Sequence, residues 1–326
     1  MNAPRARVTR RPVHGVLLLD KPLGLSSNQA LQKAKWLLRA EKAGHTGTLD
    51  PLATGVLPLC FGAATKFSQM HLNADKTYQT VLRLGVKTST ADAEGEVLTE
   101  RSIQVSSVQL DEVVRQFTGP IRQIPPMHSA LKKDGKALYE YARAGIEVER
   151  TPRDVTIYVL KVLEPRIDIA QTAINLEVKC SKGTYIRTLG EDIGEALGCG
   201  AHLGALRRIR TGDFEAAQCV TLEALQVMSE YERMACLLPV DSLIATHKVV
   251  TLDSDNAGRF LSGLRRRGAW PDAEQVAVYA EQPRTLLGTA HIRAGELIPT
   301  RLLSPVEISE MQAQERRIEP LAESEP

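Results

Sequence analysis

The pattern of apolar and polar residues begins with a strand and a helix. Residues 15–19 form a short apolar run that ends at a turn containing proline and glycine, and this predicts a buried strand. Ser26 and Gln29 then have the spacing of a capping box, and the apolar positions after them recur at helical spacing. Gly44 is the expected end of that helix. The segment that follows Gly44 is therefore predicted to be a loop.

Two later segments alternate with the period of a half-buried strand. Tyr78, Thr80, Leu82 and Leu84 fall on one predicted face, and residues 174–180 alternate in the same way. Between these segments, an apolar stripe over residues 110–117 predicts an amphipathic helix that ends before a Gly-Pro pair. Strands and helices interleave without a regular repeat, so the predicted fold class is α/β with a mixed sheet.

Two breaks in this pattern suggest how the chain is divided. Residues 123–153 open with a Pro-Pro pair and contain a lysine cluster before a short helix, which we interpret as an insertion in the sheet. After Asp241, short apolar runs separated by glycine predict a small β-barrel. The predicted organisation has four parts: a disordered basic arm over residues 1–12, a main domain over 13–245, a small domain over 248–308 and an acidic tail over 309–326.

Composition narrows the class of protein. The chain is 43% hydrophobic and 25% charged, and no apolar run approaches the roughly 18 residues that span a bilayer. The basic N-terminus lacks the apolar stretch of a secretory signal, so we expect a cytoplasmic protein without membrane contact. The five cysteines form no CxxC motif, which argues against structural zinc and disulfides. Net charge is only +2, but basic clusters near residues 132–136, 207–210 and 265–267 are suited to binding a phosphate backbone.

The candidate for chemistry is Asp50, in the string Gly44-His45-Thr46-Gly47-Thr48-Leu49-Asp50-Pro51-Leu52-Ala53-Thr54-Gly55. Pro51 favours an extended backbone at Asp50, and the glycines allow the loop to approach a ligand closely. The alternative interpretation is an Asp-Pro turn in which the side chain bonds its own backbone.

The whole string resembles the signature of the TruB family of tRNA pseudouridine synthases, and four further stretches match that family in the expected order. They are Asp20-Lys21-Pro22-Leu23-Gly24-Leu25-Ser26-Ser27, Lys76-Thr77-Tyr78, Cys180-Ser181-Lys182-Gly183-Thr184-Tyr185-Ile186-Arg187, and Gly198-Cys199-Gly200-Ala201-His202-Leu203 with Leu206-Arg207-Arg208. The resemblance implies a mixed, mainly antiparallel sheet of the pseudouridine synthase type with flanking helices. It also implies that residues 123–153 form a thumb-like arm over an RNA stem-loop and that residues 248–308 form a PUA-like RNA-binding module.

The activity implied by the resemblance is isomerisation of uridine-55 in the TΨC loop of tRNA to pseudouridine. The base is flipped out of the loop, and the reaction needs no cofactor and no metal. The partner is the TΨC stem-loop, with no obligatory protein or guide RNA expected. Two alternatives stay open: a non-catalytic protein that binds or folds tRNA at the TΨC arm, and the guide-RNA-dependent branch of the same superfamily.

The resemblance also assigns the catalytic residues. Asp50 would attack C1′ or follow an equivalent acid/base route. Arg187 would keep the Asp50 carboxyl group ionised, because a nearby cation favours the charged form. The alternative for Arg187 is a surface position on the predicted helix. Tyr78 would stack on the target base and shuttle a proton, and the alternative is a core tyrosine.

Six further residues are candidates for substrate binding. In the family pattern Tyr185 contacts the base, and His45 packs into the RNA near the extruded base. An isolated histidine could also be a metal ligand, but no second His or Cys stands at ligand spacing from His45. Leu206 would line the pocket or be an ordinary core residue. Arg207 and Arg208 would contact phosphates, and Lys21 would either support the loop or contact RNA.

Overall fold

The computed structural model describes residues 9–163 and 172–318. In its first part, up to residue 247, the strands are β1 Gly15–Lys21, β2 Ala43–His45, β3 Ala53–Phe61, β4 Lys76–Leu84, β5 Val86–Thr88, β6 Val97–Glu100, β7 Gly119–Gln123, β8 Lys132–Lys133, β9 Lys136–Ala137, β10 Arg153–Val162, β11 Ala173–Cys180, β12 Ala201–Thr211 and β13 Phe214–Glu215. The helices of this part are α1 Ser27–Leu37, α2 Ser68–His71, α3 Ser107–Gln116, α4 Leu138–Arg143, α5 Ile186–Ala196, α6 Leu222–Val227 and α7 Glu230–Ala235. The second part contains β14 Lys248–Leu252, α8 Ser254–Leu261, β15 Arg266–Arg267, β16 Ala273–Ala280, β17 Thr285–Arg293, β18 Glu296–Leu302 and α9 Pro305–Ile318.

A nine-stranded sheet organises the first part. Its main path is β1-β3-β12-β4-β11-β10-β7, with β2 added to β3 and β13 added to β12. The β3–β12 pair is parallel and the other pairs are antiparallel, which confirms the predicted mixed, mainly antiparallel sheet. Because β3 and β12 run side by side, the loop that enters β3 lies next to the middle of β12. That junction holds the candidate site.

The sequence pattern also predicted individual elements. Tyr78, Thr80 and Leu82 on β4 are all buried on one face, as the alternation indicates. α1 starts after Ser26 with the predicted capping box. The predicted end at Gly44 is wrong, because the helix stops at Leu37 and Gly44 already belongs to β2. Arg39, rather than a glycine, takes the left-handed conformation beyond the helix, with φ of 52°.

The segment predicted as an insertion connects two neighbouring strands at the edge of the sheet. β7 ends at Gln123, β10 begins at Arg153, and the two strands pair antiparallel. Between them lie the short hairpin of β8 and β9 and the helix α4. The connection therefore leaves the sheet and returns to it at one place, beside the N-terminus of α5, where Gln123 contacts the backbone of Tyr185.

The second part is a five-stranded sheet in the order β14-β16-β17-β18-β15, which confirms a small C-terminal β unit in the form of a half-barrel. One apolar cluster joins the two parts of the chain, since Val16 and Phe67 share it with Tyr279 and Leu286. Burial of this cluster stabilises both sheets together. Within the described residues, no helix is both long and apolar enough to cross a bilayer.

The structure changes the interpretation of both chain ends. Residues 309–318, predicted as the start of an acidic tail, belong to α9, and Gln314 of this helix bonds the backbone of His14, the residue before β1. Arg11, predicted in a disordered arm, forms a backbone bridge with Ala40 and an ion pair with Glu230. These ends are held because each finds a backbone partner. The rest of the predicted arm and tail, residues 1–8 and 319–326, lies outside the described residues.

Candidate active site

The loop that carries Asp50 is held against the sheet by backbone contacts. The hydroxyl of Ser27, at the start of α1, donates to the Leu49 carbonyl at 2.9 Å and accepts from the Leu49 N–H at 2.7 Å. Gly55 has φ of 98°, and a Cβ built there would lie 2.1 Å from the carbonyl oxygen of Arg208. Only glycine therefore lets β3 approach β12 this closely. The loop places the Asp50 carboxyl group at a fixed point above the sheet.

Arg187 forms an ion pair with Asp50. Its Nη2 lies 2.9 Å from Oδ2 of Asp50, and its side chain is only 6% exposed, whereas 40% of the Asp50 side chain is open to the cleft. The guanidinium also donates to the carbonyls of Thr90 at 3.1 Å and His128 at 2.6 Å. The surface alternative for Arg187 is therefore wrong. Because it is fixed on several sides, the guanidinium holds the carboxyl group in one position while leaving it accessible.

The pKa of Asp50 is set by opposing effects. Burial raises the pKa, the Arg187 guanidinium lowers it, and the nearby carboxylate of Asp92 raises it again, so that the net pKa lies above the ordinary value of 3.8. Asp92 is buried and lies 3.6 Å from Nε of Arg187. The single guanidinium therefore faces two carboxylates, and only that of Asp50 opens to the cleft.

Tyr78 and Tyr185 line the same cleft, which has a volume of about 910 Å³. Tyr78 stands on the buried face of β4, so it is a core residue that also contributes to the cleft wall. Tyr185 is half-buried and immediately precedes α5 in an extended conformation. Burial raises the pKa of both phenols, so both are neutral at physiological pH. Leu206 of β12 completes this wall opposite Ala53.

Two predicted phosphate or RNA contacts are contradicted by burial. Arg208 is 1% exposed, and its guanidinium donates to the carbonyls of Val56 at 2.7 Å and Gly47 at 3.0 Å. Lys21 is fully buried, donates to the Pro22 and Leu25 carbonyls, and has its pKa lowered to about 8 by desolvation. Neither side chain reaches the surface, because the polypeptide carbonyls around the loop take their hydrogen bonds. Lys21 therefore follows the loop-supporting alternative.

Arg207 points to the other side of β12 and is half-exposed. It forms two hydrogen bonds with the Asp20 carboxylate, at 2.9 and 2.7 Å. This pairing leaves little free charge for a phosphate at that position.

His45 lies on β2 with its Nδ1 atom buried and without a hydrogen-bond partner. Burial, assisted by the charge of Arg208, lowers its pKa below the ordinary value of 6.5, which favours the neutral ring. Within residues 9–163 and 172–318, no group of three His, Cys, Asp or Glu side chains is arranged to hold a metal ion.

Sequence reasoning missed Asp92 and Ser27. Asp92 stands in Thr90-Ala91-Asp92-Ala93-Glu94, and Ala91 has φ of 58°, so the local signal was that of an ordinary turn. The available signal was that Asp92 and Glu94 lie in a connection between strands, and polar residues on such connections are candidates for function.

Comparison with known proteins identifies the family of this chain. Residues 35–186 match the N-terminal domain of TruB family pseudouridylate synthases, residues 187–245 match the tRNA pseudouridylate synthase B C-terminal domain, and residues 249–303 match the C-terminal region of pseudouridine synthase II TruB. The tRNA pseudouridine synthase B of Verminephrobacter eiseniae is 65% identical over 314 residues, covering 95% of each chain. The protein of the same name from Ralstonia pickettii is 60% identical over 303 residues, covering 90% of this chain and 95% of the relative. The chain belongs to the TruB family of pseudouridine synthases.

Solved structures share the fold. A Cbf5-Nop10-Gar1 complex contains a chain that matches with a TM-score of 0.68 and 25% identity, covering 94% of this chain and 92% of that chain. A chain of an H/ACA RNP bound to a substrate RNA containing 2′-deoxyuridine matches with a TM-score of 0.66 and 24% identity, covering 90% of this chain and 86% of that chain. The likeness covers both the main sheet and the C-terminal half-barrel.

Proposed function

We propose that this protein isomerises uridine-55 in the TΨC loop of tRNA to pseudouridine, in the cytoplasm and without a cofactor. The two relatives described above are tRNA pseudouridine synthases that match almost the whole chain, which supports tRNA as the substrate. The observation that carries the proposal is the pair of Asp50 and Arg187, in which the guanidinium is buried and the carboxyl group is open to a cleft. A carboxylate that reacts with substrate must be accessible, and a fixed counter-charge favours its ionised form.

The cleft suits an extruded nucleoside. Its volume of about 910 Å³ is ample for one base and its ribose, and two aromatic side chains, Tyr78 and Tyr185, stand in its wall. Stacking on an aromatic ring contributes roughly 1–3 kcal/mol per base, which offsets the few kcal/mol needed to flip it. His45 is half-buried on β2, directly before the Asp50 loop, and we propose that its ring contacts the RNA around the flipped base.

In the proposed reaction, Asp50 acts as a carboxylate on C1′ or as an acid/base group, the N1–C1′ bond breaks, the uracil turns and C5 bonds to C1′. The proton on C5 leaves and one returns to N1, so no net change in atoms or redox state occurs. Tyr78 is neutral and lies within the cleft, which suits a role in stacking and proton transfer. Arg187 stabilises the carboxylate throughout.

Substitution of Asp50→Asn tests the catalytic role. We expect the purified variant to lose pseudouridine formation on an unmodified tRNA transcript by at least about 1,000-fold, since the amide cannot replace the charged oxygen. Pseudouridine is mapped by chemical labelling and reverse transcription. Asp255→Asn, on the exposed surface of α8, is the matched control and retains activity.

The second candidate is a non-catalytic tRNA-binding or tRNA-folding protein. The observation that favours it is the hairpin of β8 and β9 in the connection between β7 and β10. The lysines of this hairpin are suited to binding the phosphates of a stem-loop, whether or not the protein catalyses a reaction. Activity of the Asp50→Asn variant equal to wild type would contradict the catalytic role of Asp50, whereas a wild-type chain that binds tRNA and forms no pseudouridine would favour this second candidate. Dependence of the wild type on an added guide RNA or protein would contradict standalone action.

A further inference from the structure

Gln123 lies at the last position of β7, where the chain leaves the sheet for the arm of residues 123–153. Its side chain is buried, 2% exposed, and bonds both backbone groups of Tyr185. The amide Nε2 donates to the Tyr185 carbonyl at 3.2 Å, and Oε1 accepts from the Tyr185 N–H at 3.0 Å. The side chain thus pairs with Tyr185 as a neighbouring strand would.

The contact between Gln123 and Tyr185 lies at the N-terminus of α5. Tyr185 is the N-cap residue of α5, and its own side chain makes no capping hydrogen bond. An uncapped helix start leaves backbone N–H groups without partners and frays easily. Gln123 supplies a partner from another element. It therefore fixes the N-terminus of α5, which carries Tyr185 and, two positions later, Arg187.

A second contact links the same part of the arm to the catalytic arginine. The His128 carbonyl, five residues after Gln123, accepts from Nη2 of Arg187 at 2.6 Å. The Nη2 atom that bonds His128 is the one that pairs with Asp50. We term residues 123–128 the arm root. The arm root contacts both Tyr185, which precedes α5, and Arg187, which lies on α5, and in the proposed function these two residues face the nucleoside.

We infer that Gln123 is a positioning residue: it sets Tyr185 and Arg187 against Asp50 and makes the catalytic geometry depend on the seating of the arm root. This inference rests on the proposed function. Its physical basis is that a misplacement of about 1 Å at a reacting group can reduce a rate by roughly 100-fold. Removal of the Gln123 amide leaves the buried Tyr185 N–H without a partner, while the Tyr185 carbonyl keeps its bond from the Leu189 N–H at 3.0 Å, and we expect the start of α5 to shift as that N–H finds a new acceptor.

The test compares two glutamines that make the same kind of bond. Gln314 on α9 likewise accepts from the backbone N–H and donates to the carbonyl of one residue, His14, which precedes β1, and neither residue lines the cleft that holds Asp50. Gln123→Leu and Gln314→Leu therefore remove matched pairs of hydrogen bonds. We expect Gln123→Leu to lower kcat on a tRNA transcript by about 10- to 100-fold, with KM changed less than about 3-fold. Gln314→Leu is expected to keep kcat within about 2-fold of wild type.

The pH dependence of the rate distinguishes a displaced Arg187 from a general loss of stability, because a loss of stability does not shift the acidic limb of the profile. Because Arg187 lowers the pKa of Asp50, a displaced guanidinium lets that pKa rise. The acidic limb of the rate profile should then shift to higher pH in Gln123→Leu and stay in place in Gln314→Leu. If Gln123→Leu does not fold, Gln123→Glu replaces it; this variant keeps an acceptor for the Tyr185 N–H but loses the donor, and we expect an intermediate kcat.

The outcomes separate the two proposals. A wild-type chain without pseudouridine formation overturns the proposed function itself. An active wild type and an inactive Asp50→Asn, together with a Gln123 variant of unchanged kcat and pH profile, overturn only the positioning role. Equal losses of kcat in Gln123→Leu and Gln314→Leu overturn it as well, because they would show a global effect.

Discussion

The charged residues of the cleft and those of the C-terminal half-barrel differ in how the protein surrounds them. In the cleft, Arg187 and Arg208 are buried and hydrogen-bonded to several backbone carbonyls. In the half-barrel, Arg265 and Arg267 extend from the surface near β15 and share one carboxylate, that of Glu296. Buried charges are held by fixed dipoles in a medium of low dielectric constant, whereas exposed ones are screened by water and salt. The buried guanidiniums can therefore fix the position and charge of a group in the cleft, whereas the exposed ones are suited to attracting a phosphate backbone.

Among changes to the charged side chains compared above, the largest expected effect comes from Arg187→Lys. A lysine keeps the charge, but its compact ammonium does not reproduce the rigid, spread donors with which the guanidinium reaches Asp50 and the Thr90 and His128 carbonyls. We expect kcat to fall by at least about 100-fold in single-turnover measurements. Arg115→Lys, on the exposed face of α3, is the control and should leave kcat unchanged. A fully active Arg187→Lys would show that charge alone suffices in the cleft.

An intermediate effect is expected from Asp92→Asn. If Asp50 acts as an ionised carboxylate, as proposed, the rate falls as the pH drops through the pKa of that group, which is raised above 3.8. Asp92 is one cause of the increase, and its neutralisation lowers the Asp50 pKa. The acidic limb of the pH–rate profile should therefore move to lower pH.

The measurement for Asp92→Asn is the single-turnover rate over a series of pH values, with Asp255→Asn as control. A shift to higher pH would contradict this account, because it would mean that Asp92 acts mainly by holding Arg187 against Asp50.

The smallest effect is expected at the half-barrel surface. Replacing both Arg265 and Arg267 with alanine removes two exposed charges, and a phosphate contact by each would contribute about one unit to the salt slope of binding. We expect tRNA affinity to fall several-fold at low salt, with a shallower dependence on salt and with kcat unchanged. A change in kcat would mean that this surface acts on the chemistry rather than on attraction.

Local patterns predicted the elements that frame the site. The capping box at Ser26, the alternation on β4 and the apolar stripe before Gly119 each depend on residues close together in sequence, and each was confirmed. The motif string around Asp50 likewise identified the family, because several short motifs in a fixed order are specific even when each alone is not.

Tertiary contacts determine which charged side chains are exposed and which are buried. Lys21 and Arg208 belong to motifs with basic residues, and sequence alone gave no reason to bury them; β3 and the Asp50 loop cover both. The approach of Asp92 and Gln123 to α5 also joins segments far apart in the chain. Burial and hydrogen bonding between distant segments follow from packing, which no local pattern encodes.

The sequence by itself thus predicted β1, β4 and β11, the helices α1 and α3, and the residue types needed for the proposed reaction, because propensity, periodicity and motif spacing are local properties. The tertiary structure alone decided that Arg187 is enclosed while the carboxyl group of Asp50 stays open to the cleft. The physical reason is that desolvation and pairing depend on every atom brought within a few ångströms, and those atoms come from β3, α5, the arm root and the Asp92 turn together.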